Sequence, residues 1–208
     1  MDFKILLSLI GTSVSVVSNA LPSFTIYSRR KTEEIHQIPT YYLKINHFCS
    51  LTWLLYSISI FDIGLIISNS LSSILSFISI FSYAFYLSKV WEFYSEYLTG
   101  LLVIGSICLS MFTFGSLGLI CMFFNITTSL ANLESIQQIL TTKNHICIDF
   151  HMTLANFISG TIWMMYGIMI LNVNIIISNA ILLLVSVTLI VFYIYFRVFY
   201  TKEAYSKV

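Results

Sequence analysis

The sequence predicts an all-α membrane protein of seven transmembrane helices, laid out as two parallel three-helix bundles joined by a linker helix (3+1+3). Three observations carry that prediction. The 208-residue chain is 58% hydrophobic and only 9% charged, whereas a water-soluble domain carries about 25% charged residues. Its charges fall in clusters that separate apolar runs, and a helix needs about 20 such residues to cross the hydrocarbon. Finally, Trp53–Asn69, WLLYSISIFDIGLIISN, recurs 110 positions later as Trp163–Asn179, WMMYGIMILNVNIIISN, with eight of seventeen positions identical and no gap. A repeat of that kind marks two copies of one structural unit.

Taken in order, the first span covers about Ile5 to Tyr27 and stops at Arg29-Arg30-Lys31. Its apolar run is longer than a signal-peptide core and lacks an evident small-residue cleavage site, so it reads as a retained span. After Thr32 to Gln37, the second covers about Tyr41 to Phe61, with Lys44 able to snorkel. Asp62 and Gly64 mark a very short turn into the third span, Ile63 to Leu87. Lys89, Glu92 and Glu96 then read as a polar loop. The uncharged run from Tyr97 to Leu133 suffices for two spans, about 98–114 and 118–140, broken near Gly115. Phe150 to Phe196 again holds two, broken at Asn172 and Asn174.

The expected organisation is a first bundle over residues 1–90, a linker helix over 91–116, a second bundle over 117–200 and a short cytosolic tail over 201–208. An odd connecting helix returns the chain to its starting side, so the two copies run parallel. With the N-terminus outside, the inner loops collect Arg29, Arg30, Lys31, Lys44, Lys89, Lys143, Arg197, Lys202 and Lys207, and only Lys4 stays outside. That asymmetry satisfies the positive-inside rule.

Several function classes drop out. A net charge of +1 provides no basic face for nucleic acid. Cys49, Cys108, Cys121 and Cys147 form no CxxC pair, and His36, His47, His145 and His151 show no metal-ligand spacing. HExxH, GxSxG and Walker patterns are missing, so no enzyme, metal or cofactor is expected. Asn125-Ile126-Thr127 formally matches a glycosylation sequon but falls inside the fifth span.

At the shift of 110, Pro22 lies over Asn132, Pro39 over Asp149, Asn46 over Asn156, Trp53 over Trp163, Tyr56 over Tyr166, Asp62 over Asn172 and Asn69 over Asn179. Paired positions near a pseudo-twofold axis face each other across the centre, where a transporter's substrate sits. Asn69 and Asn179 lie several residues into their spans. An amide there faces the bundle interior, either as interhelical glue or as a binder of hydroxyl groups, and its symmetric pairing favours the second role. Trp53 and Trp163 read as aromatic platforms for a ligand or as belt residues at the headgroups. Tyr56 and Tyr166, one turn further on, could close an outer gate with Asp62 and Asn172, or anchor at the interface. Pro22 should kink the first helix. Pro39 starts the second. Asp149, beside His151, is either a helix cap or a titrating carboxylate that couples to protons. Glu134 carries the same ambiguity. Glu33 and Glu34 read as solvated.

The three-one-three layout, Leu21-Pro22-Ser23 with the following basic segment and Lys31-Thr32-Glu33, the W-x-x-Y pairs and the paired Asn of the third and seventh spans together resemble the SWEET (MtN3/saliva) sugar transporters. The likeness covers roughly residues 5 to 200. It implies a uniporter-like carrier of mono- or disaccharides, each bundle rocking about a central pocket. By that resemblance Asn69, Asn179, Trp163 and the position of Ser50 contact sugar, with Trp53 as the counterpart of Trp163. Tyr56, Tyr166, Asp62 and Asn172 correspond to the outer gate. The family's four inner-hinge prolines survive here as Pro22 and Pro39, while Asn132 and Asp149 occupy the second-half positions. Such proteins commonly form oligomers, so a homo-oligomer is left open. The plasma membrane is the expected location, an internal membrane the alternative.

Three functions remain open at this point. The first is facilitative transport of a small neutral sugar down its gradient. The second is a proton-coupled amino-acid carrier of the PQ-loop type, although the Pro-Gln pair is missing. The third is a non-transporting receptor or scaffold, for which the repeat is ancestry alone.

Overall fold

The computed structural model describes residues 3–31, 35, 40–86, 90–113, 115–131, 134–143 and 148–205. Among them run eight helices: α1 (Phe3–Arg29), α2 (Thr40–Ser59), α3 (Ile63–Tyr86), α4 (Val90–Thr113), α5 (Leu117–Ala131), α6 (Glu134–Thr142), α7 (Phe150–Met169) and α8 (Val173–Tyr205). α5 and α6 make up one span, Leu117–Thr141, which gives seven spans in the 3+1+3 order. Five of them are long and apolar enough to cross a membrane on composition alone; α2 and α7 are the other two. These two helices pack against the opposite bundle, α2 on α5 and α7 on α1. Their polar residues therefore meet protein more than lipid, as the cost of polar groups in hydrocarbon requires.

Both bundles have the same internal order. α3 lies between α1 and α2, and α8 lies between α5 and α7. The cross-bundle contacts, α1 with α7 and α5 with α2, exchange under the repeat. The two α-to-α turns are also copies. In the first, Asp62 N donates to Ser57 O at 3.1 Å and Phe61 N to Ile58 O at 3.1 Å; in the second, Asn172 N donates to Gly167 O at 2.9 Å and Leu171 N to Ile168 O at 3.2 Å. These are the paired bonds of a Schellman stop, which needs a left-handed residue at the position after the cap. Phe61 (φ 53°) and Leu171 (φ 54°) supply it. Large side chains in that conformation cost on the order of 1–3 kcal/mol each, which both copies bear. Asp62 and Asn172 then cap the next helix, accepting from Leu65 N at 3.1 Å and Ile175 N at 3.3 Å. At the α4–α5 turn the left-handed position is Gly115 (φ 67°), where it costs little.

Two expectations need correction. Glu92 and Glu96 do not form a loop, because α4 begins at Val90 and contains both. Glu92 lies in the first turn, where the helix dipole favours an acid. Glu96 meets Lys44 Nζ at 2.6 Å, so Lys44 pairs with α4. The fifth span, expected over about 118–140, is α5 and α6, whose described residues stop at Ala131 and resume at Glu134. The last helix does not end at Phe196. Val173–Tyr205 contains neither Gly nor Pro, and α8 runs through. α1 is continuous across Pro22. Pro39, Asn132, Lys89, Glu33 and Glu34 lie outside the described residues.

Close packing between α7 and α8 yields a test. A Cβ added at Gly167 would stand 2.8 Å from Ile175 Cγ2 and 3.1 Å from Ile175 Cβ, whereas at Gly105 on α4 nothing lies within 4 Å. Gly167→Ala is expected to cost about 1–3 kcal/mol through overpacking and to lower the thermal midpoint of the detergent-purified protein. Gly105→Ala should hold or raise it, since Ala gains up to about 1 kcal/mol over Gly within a helix. Equal midpoints for the two variants would refute this packing.

Candidate functional site: a polar chamber closed by cross-bundle hydrogen bonds

Between the bundles lies a cavity of about 140 Å³, lined from α1, α2, α3, α5, α7 and α8. All five residues expected at the substrate, Ser50, Trp53, Asn69, Trp163 and Asn179, line it. Placement of both Trp side chains against the cavity removes the headgroup-belt reading of them. Trp163 Nε1 donates to Ser15 Oγ at 2.9 Å, and its ring lies against Gly11, where a Cβ would stand 3.0 Å from Cε2. Each Trp meets its Tyr edge-on, Trp53 with Tyr56 at 5.6 Å and Trp163 with Tyr166 at 5.5 Å.

The amides are held in place by their own helices. Asn69 Nδ2 donates to Leu65 O at 2.9 Å and to Ser57 Oγ at 3.2 Å; Asn179 Nδ2 donates to Ile175 O at 2.8 Å. A backbone carbonyl can accept from the amide nitrogen and not from the amide oxygen, which fixes which end of each amide points away. Asn69 does bond a neighbouring helix through Ser57, so it serves as glue as well as cavity wall. Ser50 Oγ donates to Asn46 O at 3.0 Å.

Further lining residues were not singled out for the site: Ser15, Asn19, Cys49, Ser72, Asn125 and Ser159. The signal for them was present in the repeat. At the same shift Asn125 lies over Ser15, Ser159 over Cys49, Leu182 over Ser72 and Ile175 over Leu65, and all eight of these residues line the chamber. Small residues in a membrane helix look like ordinary packing, so these pairs carry no chemical mark of their own. Asn125, the formal sequon residue, faces this chamber.

At one end the bundles are tied across. The Tyr166 hydroxyl bonds the Asp62 carboxylate, 2.7 Å from each oxygen. Reciprocally, Asn172 Nδ2 donates to the Tyr56 hydroxyl at 2.7 Å. Tyr166 is 1% exposed and Tyr56 8%, so both are buried in a seal and are not lipid-facing anchors. Asn174 Nδ2 also reaches the Tyr56 hydroxyl at 3.4 Å, and Lys4 Nζ lies 3.4 Å from Asp62 and 5.7 Å from the Tyr166 ring centre. Two glycines permit the close approach. A Cβ on Gly64 would collide with Ser8 Oγ at 2.1 Å, and one on Gly118 with Asn174 Nδ2 at 2.1 Å; the shift maps one contact onto the other with the partners exchanged.

Asp149 stands apart from the chamber. It is exposed and caps α7, its carboxylate accepting from Met152 N at 3.0 Å. Pro22 lies within α1, partly buried. Among the described residues no group of three His, Cys, Asp or Glu side chains could hold a metal ion.

Fold and chamber together define a multi-pass membrane protein built from two repeated three-helix bundles about a polar cavity. A family profile described as "Sugar efflux transporter for intercellular exchange" matches residues 5–90 and 115–201, one match per bundle with most of α4 between them. The chain belongs to that MtN3/saliva (SWEET) family of transporters. It is similar to the sugar transporter SWEET1 of Xenopus tropicalis, 28% identical over 178 residues, covering 80% of this chain and 82% of that protein. It is also similar to the bidirectional sugar transporter SWEET10 of Arabidopsis thaliana, 25% identical over 171 residues, covering 76% of this chain and 58% of that one. Among solved structures, a eukaryotic SWEET transporter superposes with a TM-score of 0.77, covering 93% of this chain and 96% of that one. At 14% identity that likeness bears on the fold alone.

The cross-bundle hydrogen bonds make a prediction of their own, if they act as a gate. Cys49 lines the chamber and can report access when it is the one thiol left, the other three cysteines being replaced by alanine. Tyr166→Phe removes one hydroxyl from the gate and should raise several-fold the rate at which a membrane-impermeant methanethiosulfonate, added on the gate side, modifies Cys49. Tyr56→Phe should do so less, because a bond to a carboxylate is worth about 1.5–3 kcal/mol and a neutral one about 0.5–1.5. Unchanged rates in both variants would show that these hydroxyls do not hold the gate.

Proposed function

We propose that this chain is a facilitative sugar carrier, a bidirectional uniporter that moves mono- or disaccharides by alternating access. The observation that carries the reading is the lining of the chamber: paired amides, paired indoles and hydroxyls, with no Asp, Glu, Lys or Arg among the described residues. A zwitterionic amino acid would need a counter-charge there, whereas sugar hydroxyls need acceptors and an apolar face. Asn69 and Asn179 fit the first need, since each commits Nδ2 to its own helix and leaves Oδ1 for a hydroxyl donor. Trp53 and Trp163 fit the second, and Ser50 completes the wall.

In this reading Tyr56, Tyr166, Asp62 and Asn172 form the outer gate, closed in the conformation described above. Pro22, Pro39, Asn132 and Asp149 mark the inner hinges. The cap that Asp149 makes on α7 favours transport without proton coupling. We place the N-terminus outside and the C-terminus in the cytosol, at the plasma membrane, and leave self-association to a measurement of size in detergent.

Counterflow of radiolabelled glucose into proteoliposomes tests the proposal. The wild-type chain should accumulate label, and Asn179→Ala should reduce the rate at least about tenfold, the loss of one or two hydrogen bonds. An imposed pH gradient should leave the rate unchanged. Absence of flux for every sugar tried would sink the carrier reading, and flux driven by the pH gradient would replace the uniporter with a coupled carrier.

A further inference from the structure

The two bundles have one shape, but the side chains inside them bond differently. In the first bundle four hydrogen bonds join α1, α2 and α3 pairwise. Asn19 Nδ2 donates to Ser72 Oγ at 3.2 Å, and the Ser23 and Ser79 hydroxyls bond at 2.6 Å, both between α1 and α3. Asn46 Nδ2 donates to Asn19 Oδ1 at 3.0 Å, from α2 to α1, and His47 Nδ1 bonds Ser76 Oγ at 2.9 Å, from α2 to α3. Ser72, Ser76 and Ser79 are all buried, and they cover roughly 10 Å along α3. Pro22 stands between the two α1 anchors, Asn19 and Ser23, so the backbone bond it lacks is flanked on both sides by bonds to α3.

The second bundle has the wrong side chains for most of these bonds. At the shift of 110, Ser72 becomes Leu182, Ser79 becomes Leu189 and His47 becomes Phe157, side chains that neither donate nor accept. Only the bond from Asn46 to Asn19 keeps polar groups at both equivalent positions, Asn156 and Ser129. There α8 meets its neighbours through apolar groups instead. A Cβ on Gly160 of α7 would stand 3.3 Å from Leu183 Cγ, and Val185 and Leu189 pack with Ile139 of α6. A hydrogen bond weakens steeply as its angle departs from linear, and at a buried site within the membrane water does not replace a broken one. Apolar contact is non-directional, so helices held by it can slide past each other by small steps.

We propose that the first bundle moves as one rigid body, locked by these four bonds, and that the second changes its internal packing during transport, α5 and α7 shifting along α8. The proposal rests on the alternating-access reading above; of the four hinge positions named there, those of the second bundle then bend. Spin-label pairs equivalent under the repeat read the two bundles separately: Leu9 on α1 with Phe81 on α3, and Leu119 on α5 with Val191 on α8, all four exposed. Double electron–electron resonance is measured on the full chain in nanodiscs, the four native cysteines replaced by alanine, without and with saturating glucose, or sucrose where counterflow shows that sugar carried instead. Counterflow of each labelled protein is measured in proteoliposomes.

The Leu9–Phe81 pair should give a single distance that sugar leaves in place, and the Leu119–Val191 pair two populations whose ratio sugar shifts. Asn19→Ser combined with Ser79→Ala, which removes the bonds to Ser72 and Ser23, should give the first pair a second population. If the double variant does not fold, Ser79→Ala alone decides by the same criterion. Sugar shifting the first pair as much as the second overturns the proposal, as does a transporting protein in which neither pair shifts; both leave the carrier reading intact. A first pair that stays single in the variants overturns the role of the four bonds. No shift in either pair, with no sugar carried, overturns the carrier reading and this proposal with it.

Discussion

Two hydrogen bonds between the bundles, each made by one copy of the repeat onto the other, hold the rest of the arrangement in place. Tyr166 reaches Asp62 and Asn172 reaches Tyr56, and all four groups stand where α2 meets α3 and α7 meets α8. Their positions follow from the turns. A left-handed Phe61 or Leu171 stops one helix and leaves the next residue, Asp62 or Asn172, both capping the following helix and facing the opposite bundle. A group that caps its own helix and binds across the interface ties local helix geometry to the seal between bundles. With that end sealed, the chamber behind it is a polar cavity in an apolar molecule, and its lining determines what can occupy it.

The symmetry is incomplete where it matters to the chemistry. One half of the cross-bundle seal has a carboxylate with a lysine 3.4 Å away; the other has two amides on one hydroxyl. A charge-assisted bond is worth about twice a neutral one, so the halves hold with unequal strength although their geometry matches. In the chamber, Trp163 is buried against Gly11 and bonds Ser15, while Trp53 is only partly buried. At the far end, Ser18 precedes Pro22 by one turn and Thr128 precedes Asn132. Duplication therefore accounts for the scaffold, and the copies differ at the cross-bundle bonds, at the indoles and at the far end of the chamber.

Most of this scaffold could be read from the sequence because its two strongest signals are long and redundant. Apolar runs located the spans, and a gapless repeat located Trp53, Tyr56, Asp62 and Asn69 together with their partners. The chamber walls were less legible: Ser15, Cys49 and Ser159 are residue types that pack silently in any membrane helix, and only their pairing at the same shift marks them. Helix ends failed where charge misled. Glu92 and Glu96 look like a loop until Lys44 is known to lie beside Glu96, a contact between residues 52 apart. A tertiary neighbour decided that case.

The most direct test of the account is the distance between the two gate turns. Phe61 and Leu171 are 87% and 84% exposed, equivalent under the repeat, and placed on opposite bundles, so spin labels can replace them without entering the chamber. Double electron–electron resonance in nanodiscs should give two distance populations, the shorter corresponding to the closed gate, with saturating sugar changing their ratio and creating no third. A single distance that neither sugar nor removal of the Tyr166 hydroxyl moves would contradict the claim that the bundles rock about this chamber.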